Sequence, residues 1–148
     1  KTIITMDDLE EASEKVSMGP ERRSHIVTEK ERRLTAFHES GHAIVGHLLP
    51  DCDPVHKVTI VPRGYAGGYT MSLPEEEQNY ETKKQMLAHI RMALGGRVAE
   101  ALTLKDISSG ASGDLQTVTK IARNMVTRYG MSDELGPIVF GEQREQVF

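Results

Sequence analysis

The sequence predicts a mainly α-helical domain that carries one small β-hairpin. Three observations support this class: several long segments have apolar residues at helical spacing, two short segments look extended, and a glycine-rich turn separates those two. The chain has 148 residues, the size of one ordinary domain. Hydrophobic residues make up 38% and charged residues 27%, a balance that favours a folded, soluble domain over a disordered chain.

The first 19 residues read as a separate module. Ile3 and Ile4 suggest a short strand-like start, and the acidic segment over residues 6–16 predicts a helix. This helix is expected to end near the Gly-Pro pair at positions 19–20. The module therefore precedes the main domain.

A polar linker over residues 20–27 leads into the strongest predicted helix of the chain. Thr28 and Glu31 form a capping box, in which each side chain bonds to the main chain of the other residue. The spacing that follows predicts a helix of about five turns, ending at Pro50. Its apolar positions are Leu34, Phe37, Gly41, Ile44, Val45 and Leu48.

A β-hairpin is expected after this helix. Residues 55–61 alternate apolar and polar side chains, and residues 69–72 form a second extended run. The glycines between them, at positions 64, 67 and 68, have neither the dinucleotide-binding spacing nor the Gly-Lys-Ser/Thr of a phosphate loop. These glycines therefore predict a turn.

Two further helices complete the predicted fold. Helical periodicity is present over residues 82–102 and again over residues 114–129, where Gly130 ends the pattern. A loop of small residues, 108–113, connects the two helices. The predicted main domain thus extends from residue 28 to residue 148.

The overall composition excludes several classes of function. A formal net charge of -4 provides no general basic field, so binding to nucleic acid is not expected. A single cysteine, Cys52, excludes an internal disulfide framework. No apolar run approaches the roughly 18 residues that a membrane helix needs, which predicts that this piece of chain is soluble.

The strongest chemical signal is the pattern His-Glu-x-x-His at residues 38–42, inside the predicted helix. Four residues advance a helix by about 6 Å and turn it by about 40° past a full circle. His38 and His42 therefore stand on one face and can converge on a single ion. Glu39 can lie beside a metal-bound water without being a ligand.

Zinc suits this ligand set, because neutral imidazole nitrogen binds it well and a catalytic site leaves one position open for water. Zinc lowers the pKa of that water to roughly 7, and a carboxylate such as Glu39 can take its proton. Hydrolysis of an amide bond is the reaction that this set predicts. His25, His47, His56 and His89 lack a partner at ligand spacing and are predicted to be surface or core residues.

Two carboxylates are candidates for the third ligand. Glu100 lies on the long predicted helix and could instead bond to a ligand histidine or pair with Arg97. Asp114 begins the last helix, next to a loop of small residues that permits a close approach, but a carboxylate there could simply favour the helix dipole. The residues alone leave both candidates open.

Beyond this motif, the sequence closely resembles the FtsH family of membrane-anchored, ATP-dependent zinc metalloproteases. The likeness covers nearly the whole chain in five ordered blocks, which is much more specific than one His-Glu-x-x-His motif. The blocks are MGPERRS at 18–24, AFHESGHA at 36–43, VHKVTIVPRG at 55–64, LGGRVAE at 94–100 and SGASGDL at 109–115.

The resemblance implies a zincin-like helical metallopeptidase domain with Glu39 as catalytic base. It implies that zinc is bound by His38, His42 and Asp114, which leaves Glu100 to hydrogen-bond to a ligand histidine. It also implies a homo-hexameric ring fed by an ATPase domain, which uses ATP, and tethered to the bacterial inner membrane with the peptidase facing the cytoplasm. Unfolded or membrane polypeptides are the implied substrates, and the edge strand over residues 58–61 is expected to pair with their backbone.

The sequence also departs from the family pattern. It contains neither a phosphate loop nor a membrane helix, so residues 1–19 look like the C-terminal remnant of an ATPase lid domain. Residues 28–148 are expected to be a metallopeptidase domain truncated at its C-terminus. Ser40 stands where alanine is more usual, at a position that is not a ligand.

Two other functions remain as alternatives. One is a free-standing zinc hydrolase that works without an ATPase. The other is a non-catalytic assembly module that keeps the motif as a structural metal site, although structural zinc sites usually fill all four positions with protein ligands.

Overall fold

The structure is a computed structural model that describes residues 3–22, 26–64, 66–74 and 78–141. The predicted class is confirmed, because these residues form a mainly helical domain with one two-stranded antiparallel sheet. His25 and residues 142–148, which the sequence assigned to the surface and to the end of the domain, lie outside the described ranges. The elements in chain order are α1 (Met6–Met18), α2 (Glu29–Leu48), β1 (Val55–Thr59), β2 (Tyr69–Ser72), α3 (Lys83–Leu104) and α4 (Ser112–Thr127).

Capping boxes begin three of the helices. The predicted box at the start of α2 is confirmed: the Thr28 main-chain N–H donates to the Glu31 carboxylate at 3.0 Å, and the Glu31 N–H donates to the Thr28 hydroxyl at 3.2 Å. Helices α1 and α3 begin in the same way at Thr5 and Thr82. A capping side chain stabilises a helix start by about 1 kcal/mol, because it satisfies main-chain donors that the helix leaves free.

Helix α4 begins two residues earlier than its apolar pattern predicted. A short 3₁₀ turn, Ser109–Ala111, leads directly into it. Asp114 therefore lies inside the first turn of α4, where the helix dipole favours a negative charge.

The β-hairpin forms where the glycine-rich turn predicted it. Strand β1 pairs antiparallel with β2, with Val58 opposite Thr70 and Thr59 opposite Tyr69. Strand β1 ends at Thr59 instead of residue 61, and a bulge lies between Val55 and Lys57. Side chains alternate across a strand, so the neighbours Tyr69 and Thr70 point to opposite faces of the hairpin.

Glycines bring α2 and α3 into close contact. A Cβ atom on Gly95 would lie 2.6 Å from the carbonyl oxygen of Gly41, so no other residue fits there without a shift of the main chain. The buried residues of α2 are not apolar; they are His38, Glu39, Gly41, His42 and Gly46. Burying the polar side chains of His38, Glu39 and His42 costs free energy unless each of them is hydrogen-bonded.

The N-terminal helix is fixed to the hairpin by buried charges. Glu14 of α1 and Arg63, after β1, are both buried and pair at 3.1 Å, and Lys57 of β1 also pairs with Glu14. The hydrogen bond from Lys57, with Tyr69 next in effect, lowers the pKa of the Glu14 carboxyl. Such a pair is tolerated in the interior only because each charge keeps partners.

The predicted strand-like start needs correction. Ile3 and Ile4 form no strand and are exposed, because no strand in the described part of the chain pairs with them. Within the predicted linker, Glu21 forms a β-bridge with Arg63, and its carboxylate accepts a hydrogen bond from the same arginine at 2.8 Å. In the described residues, no helix has both the length and the apolar character to cross a membrane.

Candidate metal centre

Helix α2 places the two motif histidines side by side. His38 and His42 are both buried, and their Nε2 atoms lie 3.0 Å apart with the rings nearly perpendicular. The four-residue spacing on one helix accounts for this proximity, as the sequence predicted. What the pair can bind depends on where each ring carries its proton.

Partners on α3 fix the orientation of both rings. The Nδ1 atom of His42 lies 2.8 Å from the main-chain oxygen of Met92, and a carbonyl can only accept, so this nitrogen carries the proton. The Nδ1 atom of His38 lies 2.6 Å from Oε1 of Glu100 and donates to that carboxylate. In the neutral rings that these contacts favour, Nε2 is the nitrogen without a proton, and the two Nε2 atoms face each other.

Asp114 completes a converging set of three electron-pair donors. Its Oδ2 atom lies 3.1 Å from Nε2 of His38 and 3.6 Å from Nε2 of His42. Burial alone would raise the pKa of Asp114, but the two imidazoles hold it well below its usual range. The contact with Asp114 raises the pKa of His38 despite its burial. A cation bound between these three side chains would be stabilised by all of them.

This donor set fits a catalytic zinc ion. The three side chains can each offer one ligand atom, and those atoms all lie within 4.8 Å of one another. Two imidazole nitrogens and one carboxylate oxygen are a known ligand combination of catalytic zinc, and they leave a fourth position for water. The structure thus brings together the three residues that the sequence nominated: His38, His42 and Asp114.

Glu100, the other candidate for the third ligand, lies behind His38. Its side chain is fully buried, and its two oxygens accept hydrogen bonds from His38 Nδ1, the Ser108 N–H at 2.7 Å and the Ser108 hydroxyl at 3.1 Å. Burial would raise the pKa of Glu100, but the Ser108 N–H and His38 lower it overall. The carboxylate therefore holds His38 from the side opposite to the converging Nε2 atoms.

Glu39 lies beside the three candidate ligands but is not one of them. The side chain is buried, and its Oε2 atom accepts a hydrogen bond from the Thr70 hydroxyl at 2.8 Å. Burial raises the pKa of Glu39, while the bond from Thr70 partly offsets this effect. A raised pKa makes a carboxylate a better proton acceptor, which suits a general base.

Gly96 leaves room for the ligand atoms. A Cβ atom at this position of α3 would lie 2.6 Å from Nε2 of His38 and 2.6 Å from Nε2 of His42. Any side chain larger than hydrogen would therefore meet both nitrogens where a metal must reach them. The Gly-Gly pair at 95–96 serves both the helix crossing and the metal centre.

The metal centre opens into a cavity of about 510 Å³. Residues 66–70, at the start of β2, line this cavity, whereas residues 58–61 do not. The expectation that residues 58–61 pair with the substrate backbone stays a prediction, since α2 contacts both strands of the hairpin. Pairing register alone could not show which strand would face the site.

The other described histidines lie in two different environments. His47 and His56 are exposed, as predicted. His89 lines the cavity, and its Nδ1 lies 3.0 Å from the Glu81 carboxylate, which the sequence did not indicate. The sequence also gave no sign of Thr70 or of the Met92 carbonyl, since both depend on contacts between distant parts of the chain.

Comparison with known proteins agrees with this geometry. The pattern of peptidase family M41 matches residues 25–148. The chain is 77% identical over its whole length to the ATP-dependent zinc metalloprotease FtsH of Veillonella parvula and 58% identical to that of Caldicellulosiruptor bescii. It is 54% identical to the protein of the same name from Myxococcus xanthus.

The chain spans about a quarter of the length of these relatives: 23%, 24% and 23% respectively. The match covers the metal centre, both strands and helices α2 to α4. The resemblance to FtsH proteins that the sequence motifs predicted is confirmed. The chain therefore belongs to peptidase family M41.

Proposed function

We propose that this chain is the zinc-dependent endopeptidase domain of an ATP-dependent protease. The observation that carries the proposal is the convergence of the two Nε2 atoms and the Asp114 carboxylate, with Glu39 beside them, at an open cavity. His38, His42 and Asp114 would hold the ion, and polypeptides would enter through the cavity.

The side chains have separate tasks in this proposal. When bound, zinc supplies a Lewis acid that acidifies water and polarises the scissile carbonyl. Glu39 accepts the proton of the attacking water at its carboxylate and delivers it to the leaving amine. Glu100 and the Met92 carbonyl keep the two imidazoles oriented, with protons on Nδ1.

The wider context is also part of the proposal. The relatives are named ATP-dependent zinc metalloproteases and are about four times as long, so the intact protein is proposed to carry an ATPase domain as well. Residues 1–19 would be the end of an ATPase lid and residues 20–27 a linker. A homo-hexameric ring tethered to the bacterial inner membrane, with its peptidase domains in the cytoplasm, is the assembly that the family resemblance implies.

Metal-dependent proteolysis tests the enzymatic proposal. The intact protein is loaded with zinc and incubated with casein, then treated with a chelator and finally given zinc again. We expect cleavage within the polypeptide that stops on chelation and returns with zinc. Bound zinc without cleavage would instead favour the non-catalytic assembly module.

Replacing the two candidate carboxylates separately tests the ligand assignment. Asp114→Ala removes a ligand and should abolish stoichiometric zinc binding under conditions that saturate the parent protein. Glu100→Ala removes a bond to His38 and should weaken zinc binding by about 10–100-fold. Zinc titration of both variants, side by side, measures the difference. The assignment is wrong if the Glu100 variant loses the metal while the Asp114 variant keeps it.

A further inference from the structure

A threonine on the hairpin contacts the general base directly. Thr70 lies in β2 opposite Val58, and its neighbour Tyr69 is buried on the other face of the hairpin, close to Glu14. Because side chains alternate along a strand, burial of Tyr69 turns Thr70 toward α2. The hairpin thus presents one hydroxyl to the helix that carries Glu39.

This hydroxyl makes two contacts with the same residue. It lies 2.8 Å from Oε2 of Glu39 and 3.1 Å from the main-chain oxygen of Glu39. A hydroxyl has one proton, and both oxygens accept, so the shorter contact to the carboxylate takes it. The second contact places the hydroxyl at a fixed distance from the helix main chain.

Gly68 lies close to the same side chain from another direction. A Cβ atom on this glycine would lie 3.2 Å from Cγ of Glu39, so the glutamate stem passes close to the loop before β2. Glutamate has three rotatable bonds, and ordering it costs about 1.5–2 kcal/mol of conformational free energy. The hydrogen bond from Thr70 opposes this freedom at the carboxylate.

We propose that Thr70 is a positioning residue, which holds the Glu39 carboxylate in the orientation that takes a proton from the attacking water. This inference rests on the proposed function and adds a residue that no motif in the sequence marks. Thr70 touches neither the three candidate ligands nor the reacting atoms; it acts through Glu39. The strand pairing of β1 with β2 therefore contributes to catalysis by placing one hydroxyl.

Two substitutions at Thr70 test the proposal in the intact, zinc-loaded protein. Thr70→Val keeps the shape and removes the hydroxyl, whereas Thr70→Ser keeps the hydroxyl. We expect Thr70→Val to lower kcat for a peptide substrate by about 10–100-fold, with KM and zinc content nearly unchanged, because a misplaced group lowers the rate without weakening binding. Thr70→Ser should recover most of the loss.

Thr103→Val is the matched control, since Thr103 is exposed near the end of α3 and bonds only to a carbonyl of its own helix, that of Ala99. Its kcat should equal that of the parent protein. A kcat for Thr70→Val within about twofold of the parent, or a Ser variant as slow as the Val variant, would overturn the proposal.

A spectroscopic readout separates failure of this proposal from failure of the proposed function. The side-chain carboxyl carbon of Glu39 is followed by ¹³C NMR in zinc-free protein and assigned by its disappearance in Glu39→Gln. We expect Thr70→Val to shift or broaden this signal and Thr103→Val to leave it unchanged. An unmoved signal contradicts the role of Thr70 even if the protein is active. A moved signal, together with a zinc-loaded parent protein that cleaves no peptide, contradicts the function and leaves the contact established.

Discussion

Replacing Glu39 by glutamine is expected to abolish measurable peptide hydrolysis while zinc stays bound. Glutamine keeps the size of the side chain and an oxygen that accepts the hydrogen bond from Thr70, but its amide cannot take a proton from water. General bases contribute about 10²–10⁴-fold to enzymatic rates, so the residual activity should be at or below detection. The measurement is kcat with a peptide substrate, together with zinc content.

The ligand histidines provide the contrasting result. His38→Ala and His42→Ala should each lose both zinc and activity, because two remaining protein ligands cannot hold the ion at normal affinity. If Glu39→Gln lost the metal as these variants do, Glu39 would be a ligand and its role as proton acceptor would be wrong. Full activity of Glu39→Gln would contradict the mechanism outright.

Replacing Gly96 by alanine is expected to weaken zinc binding by about 100-fold or more, the upper range for changes next to a metal centre. The added Cβ would lie 2.6 Å from both ligand nitrogens, and these rings are buried and held by Glu100 and the Met92 carbonyl. They have little room to retreat. Helix propensity alone would favour alanine over glycine by about 1 kcal/mol, which offsets only part of the cost of this clash to the stability of the metal-free protein.

Gly113→Ala is the control for this substitution. Gly113 also lies in a helix, one residue before Asp114, but a Cβ atom there would meet nothing within 4 Å. Its zinc affinity should match that of the parent protein. Equal zinc affinities for the Gly96 and Gly113 variants would show that the ligand nitrogens do not occupy the positions described for them.

The parts of the site that the sequence predicted are those set by local geometry. The capping box at Thr28 and the apolar spacing after it predicted α2, and a regular helix then places His38 and His42 together without further information. Glu39 follows from the same helix. A motif that lies within one element can therefore be interpreted before the fold is known.

The remaining parts depend on contacts between distant residues. Thr70 is 31 residues from Glu39, and Asp114 is 76 residues from His38, so neither contact has a local pattern. The resemblance nominated Asp114, but only the packing of α3 on α2, and of α4 on α3, shows that Glu100 is occupied with Ser108 behind His38.

The orientation of the hairpin relative to α2 is the part of the fold that the sequence predicts least well. Alternation of residues 55–61 indicated a strand but not which side of the hairpin would face α2, and Val58 remains 43% exposed instead of buried. The buried pair of Glu14 and Arg63, which helps to set that orientation, joins residues that a sequence pattern would assign to a solvated surface. Its two members lie on opposite sides of the predicted linker.

Anomalous diffraction at the zinc edge, from crystals of the zinc-loaded protein, locates the ion and identifies its ligands. The predicted result is one zinc ion bound by Nε2 of His38, Nε2 of His42 and the carboxylate of Asp114, at about 2.0–2.2 Å each, with a water molecule in the fourth position within reach of Glu39. A zinc ion coordinated by Glu100 in place of Asp114, or by Glu39 itself, or bound away from the two histidines, would contradict it.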